Sequence, residues 1–172
     1  MTDPFSKISF GAAPPVILCI GSDRVLGDAL GPITGELLKR KFDVPAFVYG
    51  SLTMPVTALN LRRAAAFVRA RHKGSCVIAV DGAVGAEIGK ITVTDSSLRP
   101  GLASGKILPS VGDVSVIVTV ATEAALLPSV RLGFVYELAL RTAELVSESV
   151  KARLGSSADP FPIVHNHNTR TD

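Results

Sequence analysis

The chain has no tryptophan, two tyrosines and seven phenylalanines in 172 residues. Its core must therefore be built from Val, Ile, Leu and Ala, the set that suits helices packed on a buried parallel sheet. Its two cysteines, Cys19 and Cys76, each sit in an apolar strand pattern and offer no disulfide framework. No apolar run approaches a membrane span, and residues 1–15 are mixed polar and proline-containing, unlike a signal peptide. A soluble, cytoplasmic protein is expected. The three histidines, His72, His165 and His167, lack the helix or hairpin spacing that holds zinc. Gly21, Gly27 and Gly31 do not match G-x-G-x-x-G, and no P-loop lysine follows them. Ser22 lacks a nucleophile elbow and a positioned histidine. No metal or other cofactor is expected, although Asp28, Asp81 and Glu123 are hard ligands that a metal-dependent hydrolase would use.

What remains is a chain 47% apolar, long enough for one well-filled domain. Eighteen basic and fifteen acidic residues leave a net charge of +3. Arg62, Arg63, Arg69, Arg71, His72 and Lys73 group along one helical pattern without interleaved aromatics, which reads as solvated helix surface rather than a nucleic-acid interface. Strands are expected at Val16–Gly21, Ala46–Gly50, Cys76–Asp81, Lys90–Thr94 and Asp113–Val120. Helices are expected from Asp28 or Gly31 to about Lys41, from Pro55 to about His72, and from about Pro128 to Arg153. The apolar stripes proposed for the last two are Val56, Leu59, Ala66, Phe67 and Ala70, and Val130, Phe134, Leu138, Thr142, Leu145 and Val146. Residues 1–15 read as a loosely held arm, 16–153 as a single domain, 96–112 as a long loop and 154–172 as a disordered tail. Strand–helix alternation gives a three-layer α/β domain around a mainly parallel sheet of about five strands. The fourth strand, at an edge, leaves room for a homodimer.

Two acids stand where open α/β sheets place their crevices. Asp28 lies in the Gly-rich loop Gly21–Pro32 after the first strand, and Asp81 ends the third. Each has an ordinary explanation. Asp is a preferred helix N-cap, worth roughly 0.5–2 kcal/mol, and Asp-Gly makes turns after strands. If the strand order begins 2-1-3, however, both acids face one crevice. Two carboxyls that approach closely cannot both ionise cheaply, so they share a proton or bind a cation. The shared-proton state supplies one base to activate water and one acid to protonate a leaving group, which suits amide hydrolysis. Glu123, directly after the fifth strand, is a third candidate catalytic acid. Asp23 and Asp95 are weaker; Asp23 reads as holding its turn. Arg131, in the expected first turn of the last helix, could pair with a site carboxylate or hold a substrate carbonyl.

The segments Gly21-Ser22-Asp23-Arg24, Gly27-Asp28-Ala29-Leu30-Gly31-Pro32, Val48-Tyr49-Gly50-Ser51-Leu52, Ala79-Val80-Asp81-Gly82-Ala83-Val84-Gly85 and Leu108-Pro109-Ser110-Val111-Gly112-Asp113 together resemble the YyaC-type sporulation protein family. The resemblance spans about residues 16–150. It implies a phosphorylase/hydrolase-like fold, related to the spore germination protease and to the hydrogenase maturation peptidases. It also implies a sporulation-associated peptidase acting through Asp28 and Asp81 on a protein or peptide, with small acid-soluble spore proteins as the expected substrate and the forespore as its place. A non-catalytic factor that binds peptides in the same crevice is the alternative. Peptide backbone is expected to be held by main-chain amides at Gly21, Ser22 and Gly82–Gly85. The maturation peptidases carry a later-loop histidine that recognises nickel, and no histidine stands near residues 95–130 here. Nickel-dependent maturation is accordingly disfavoured.

Overall fold

A computed structural model describes residues 4–100 and 108–154. The expected tail, apart from Leu154, and the middle of the 96–112 loop lie outside these. Five strands form one sheet in the order β2-β1-β3-β5-β4: β1 Val16–Cys19, β2 Phe47–Tyr49, β3 Val77–Val84, β4 Ile91–Thr94 and β5 Val114–Ala121. All pairings are parallel except β4 with β5, which is antiparallel and places β4 at an edge. The 2-1-3 start that the sequence left conditional is therefore present.

Three helices sandwich the sheet: α1 Leu30–Arg40, α2 Leu61–Arg71 and α3 Leu132–Leu154. Alternate strand residues divide the core, as the period of two requires. Ile17, Cys19, Ile78, Val80, Val116 and Val118 pack with α1 and α3, whereas Leu18, Ile20 and Ala79 pack with α2. The N-terminal arm is not loose. Phe5, Ile8 and Phe10 are buried in the α1/α3 layer, and the Arg153 guanidinium lies over both phenylalanine rings.

Two helices begin later than expected. Pro55 does not open α2, because Val56 pairs with Ile20 and its carbonyl accepts the Gly21 N–H at 2.9 Å. Asn60 then ties the entry by accepting from the Thr57 N–H and donating to the Pro55 carbonyl. With the start moved to Leu61, the buried stripe is Leu61, Ala64, Ala65 and Val68, an i, i+3, i+4, i+7 set. Leu59 and Phe67 point outward, and Phe67 meets the Tyr49 ring edge-on. Arg62, Arg63, Arg69 and Arg71 are solvated, as expected. At the other end of the chain, Pro128 falls inside a 3₁₀ turn, Ala124–Ser129, and α3 starts only at Leu132. Its buried stripe includes Val135, Leu138, Thr142 and Val146, leaving Phe134 partly exposed.

Candidate active site

The loop after β1 is held by close backbone approach. Gly21 sits at φ 144°, and a Cβ there would fall 2.1 Å from the Asp28 carbonyl oxygen. That carbonyl accepts the Ser22 N–H at 3.1 Å. A 3₁₀ turn, Leu26–Ala29, carries Asp28 and runs straight into α1. Gly31 lets α1 lie directly on β1, since a Cβ at that position would stand 1.9 Å from the Ile20 carbonyl oxygen. Only glycine permits this contact, and it fixes the backbone of Asp28 over the carboxyl end of the sheet.

The ordinary explanation for Asp28 fails. The N-cap of α1 is Ala29, with no side-chain hydrogen bond, and Gly31 and Pro32 already lie inside the helix. The ordinary explanation for Asp81 fails as well. Asp81 and Gly82 are not a turn, because β3 continues to Val84, with Asp81 opposite Ile117 and Gly82 opposite Val118 on β5. The β1 side differs. Its pairing with β3 stops at Cys19 and Val80, and the chain leaves the sheet at Gly21. Asp81 is the first β3 residue beyond that last pair, placed by alternation on the Ala79 side. The 3₁₀ turn crosses over the next residue of β3, where a Cβ on Gly82 would lie 3.2 Å from the Gly27 carbonyl oxygen.

The Asp81 carboxyl is pushed well above the ordinary carboxylate range, first by burial and then by the negative charge of Asp28. The Gly82 N–H, bonded to the carboxylate, opposes this without cancelling it. The structure thus brings Asp28 and Asp81 close enough for the charge of one to act on the other, with the ionised form of Asp81 disfavoured. A carboxylic acid beside a carboxylate is the arrangement that general acid–base hydrolysis requires: one group accepts a proton from water while the other donates to the leaving nitrogen.

The remaining expected site residues fare differently. Glu123 is exposed and extended, at the entry to the Ala124–Ser129 turn, and is not among the charges acting on Asp81. Arg131 is exposed and precedes α3, where its carbonyl accepts the N–H groups of Phe134 and Val135. The main-chain amides expected to grip peptide are already used. Gly21 donates to Val56, Ser22 to Asp28 and Gly85 to Ala121, while Gly82 lies within the β3 ladder. Asp23 does not hold its turn; the Ser22 Oγ does, accepting the Arg24 N–H, and the Asp23 carboxylate is exposed. Asp95 follows the antiparallel β4 and so lies at the opposite end of the sheet, where burial first, and then the charges of Asp113 and Asp95, push the Cys76 thiol up to about 11. Among the described residues, no three or more His, Cys, Asp or Glu side chains gather as a metal site, and no helix is long and apolar enough to cross a membrane.

Sequence reasoning missed Val56 as the partner of the site loop, and it missed the exposed apolar side chains around that loop. Leu52, Met54 and Leu59 are exposed after β2, as are Leu126, Leu132 and Tyr136 after β5. Apart from Leu59, which the expected 55–72 helix had claimed for its apolar stripe, their signal was present as apolar residues that fit no helical stripe.

The architecture is a three-layer α/β domain around a mainly parallel five-stranded sheet. It is similar to the crystal structure of the [NiFe] hydrogenase maturation protease HycI from Thermococcus kodakarensis KOD1, with a TM-score of 0.52 and 24% identity over 87% of this chain and 97% of that one. At that identity the likeness shows the fold alone. The chain belongs to the family described as "Protein of unknown function (DUF1256)", which matches residues 5–146. It is 39% identical over 140 residues to the "Uncharacterized protein YyaC" of Bacillus subtilis (strain 168), covering 78% of this chain and 68% of that protein.

Proposed function

We propose that the chain is a peptidase that hydrolyses peptide bonds through the Asp28–Asp81 pair. The observation that carries this reading is the placement of Asp81, partly buried on β3 just beyond its last β1 pair and close enough to Asp28 to feel its charge. Neither acid has the structural task that its sequence context suggested, and a buried, unfavourably placed carboxyl is retained in folds chiefly where chemistry needs it. In this reading Asp81 carries the shared proton and Asp28 is the base toward water; breakdown of the tetrahedral intermediate then returns the proton to the leaving nitrogen. The fold shared with a maturation protease supports a peptidase. The sporulation setting, with spore proteins as substrate, follows from the sequence motifs that resemble the YyaC-type sporulation proteins.

One observation favours a binding-only role in the same crevice. The amides of Gly21, Ser22 and Gly85 are committed to the fold, so none is free to stabilise an oxyanion. A single experiment separates the two readings. Purified protein is incubated with small acid-soluble spore proteins and with a mixed peptide library, and cleavage is followed by mass spectrometry. The peptidase reading expects cleavage that falls about 10²–10⁴-fold in both Asp28→Asn and Asp81→Asn, the usual range for loss of a general acid or base. Peptide binding without cleavage by the unsubstituted protein establishes the binding role instead.

A further inference from the structure

A groove of about 670 Å³ opens beside the Asp28 turn, between that turn with α1 on one side and the first turn of α3 on the other. Its walls are apolar: Leu26, Ile33 and Leu37 face Leu132 and Tyr136, with Leu52 completing the rim. Leu52, Leu132 and Tyr136 are all substantially exposed, an unusual cost for a chain this size unless something covers them. The exposed large apolar side chains are also unevenly placed. Of the ten among the described residues, only Phe47 and Phe67 lie away from the segments that follow the carboxyl ends of β2, β3 and β5.

Charge narrows the occupant. The ionisable carboxylates that line this groove are Asp23 and Glu36, and no lysine, arginine or histidine lines it, although the protein as a whole carries a net charge of +3. Glu36 is partly neutralised by Arg40 one helical turn away. Asp23 has no such partner among the described residues, and the loop does not need it as a turn residue, because Ser22 does that work. An unneutralised carboxylate at the lip of an apolar groove favours a cation beside an apolar side chain.

We infer that this groove is a substrate-docking site for a polypeptide segment in which an apolar side chain stands next to lysine or arginine. The apolar side chain enters between Ile33, Leu37 and Tyr136, the cation meets Asp23, and the adjoining backbone is led to the acid pair. This rests on the peptidase reading for its purpose, but the docking itself does not require hydrolysis.

The test uses full-length protein carrying Asp81→Asn, so that binding is read without cleavage. Fluorescence anisotropy is measured with three labelled decapeptides: Leu with Lys, Leu with Glu, and Ser with Lys. The Leu/Lys peptide is expected to bind about tenfold or more tighter than the Ser/Lys peptide, from burial of the apolar side chain. It should also bind several-fold tighter than the Leu/Glu peptide, with that preference steepest at low salt. Adding Tyr136→Ala should weaken the Leu/Lys peptide about tenfold. Adding Asp23→Lys, an exposed change that leaves the circular dichroism spectrum intact, should invert the Lys-over-Glu preference. Equal affinity for all three peptides, or a charge preference untouched by Asp23→Lys, overturns the inference. So does a dimer in sedimentation that Tyr136→Ala dissociates, since a second copy would then be the occupant. Because Asp81 is already substituted, failure here leaves the catalytic reading standing, and loss of catalysis leaves this one standing.

Discussion

At the amino end of the sheet, Asp113 accepts the Val77 N–H at 2.8 Å and its own N–H donates to the Val77 carbonyl at 2.7 Å. Four residues further along the neighbouring strand, toward the carboxyl end, Asp81 stands beyond the last β1 pair, partly buried and near the charge of Asp28. The first aspartate is exposed and closes a β-strand register. The second works against stability, since burial and a like charge both oppose its ionisation. Close backbone approach occurs at both ends, through Gly21 and Gly31 around the site and through Gly112 beside Asp113, where a Cβ would stand 2.9 Å from that of Ala79. An acid facing a like charge at one end and an acid keeping strand register at the other is the division expected when the crevice lies at the carboxyl end of the sheet.

This contrast can be broken by substitution. The largest effect is expected from Gly31→Ala, whose methyl would have to share space with the Ile20 carbonyl; a loss of about 3 kcal/mol or more should appear in urea unfolding. Gly133→Ala, with nothing within 4 Å in the first turn of α3, should instead leave stability unchanged or raise it by up to about 1 kcal/mol. Asp113→Ala should cost about 1 kcal/mol for its exposed hydrogen bond to Val77 while leaving hydrolysis intact. Loss of hydrolysis in Asp113→Ala would erase the distinction between the two ends.

A smaller effect, with a definite sign, comes from Asp81 itself. Its folded pKa lies above its ordinary value of 3.8, so the folded state holds this proton more tightly than the unfolded chain does. The stability it contributes is fully present below about 3.8 and is lost as pH rises through the raised folded value. Asn at this position cannot ionise. Asp81→Asn should therefore melt higher than the unsubstituted protein at pH 8, and the gap should close as pH falls toward 4. A gap that widens on acidification would contradict the burial and charge assigned to Asp81.

Much of this was legible from residue order alone. The apolar runs within Val16–Gly21, Cys76–Asp81 and Asp113–Val120 announced buried parallel strands, and the structure places them as neighbours in one sheet. What local sequence could not show was where pairing stops. Pro55 reads as a helix start, yet Val56 is drawn into extended pairing with Ile20 by tertiary contact. Asp81-Gly82 reads as a turn, yet β5 continues alongside and keeps both residues in the ladder. The amides of Gly21 and Ser22 look available in a glycine-rich loop, and only the fold reveals that Val56 and Asp28 have taken them. Strand ends depend on neighbours distant in sequence, and a site built at strand ends inherits that dependence.

The central claim is that Asp28 and Asp81 titrate as a coupled pair with the proton on Asp81. Carboxyl ¹³C chemical shifts followed against pH, in the unsubstituted protein and in Asp28→Asn, test it directly. The account predicts an Asp81 carboxyl that ionises well above the ordinary carboxylate range and moves downward when the Asp28 charge is removed, staying partly raised by burial. An Asp81 carboxyl that ionises in the ordinary range, or one indifferent to Asp28→Asn, would contradict it.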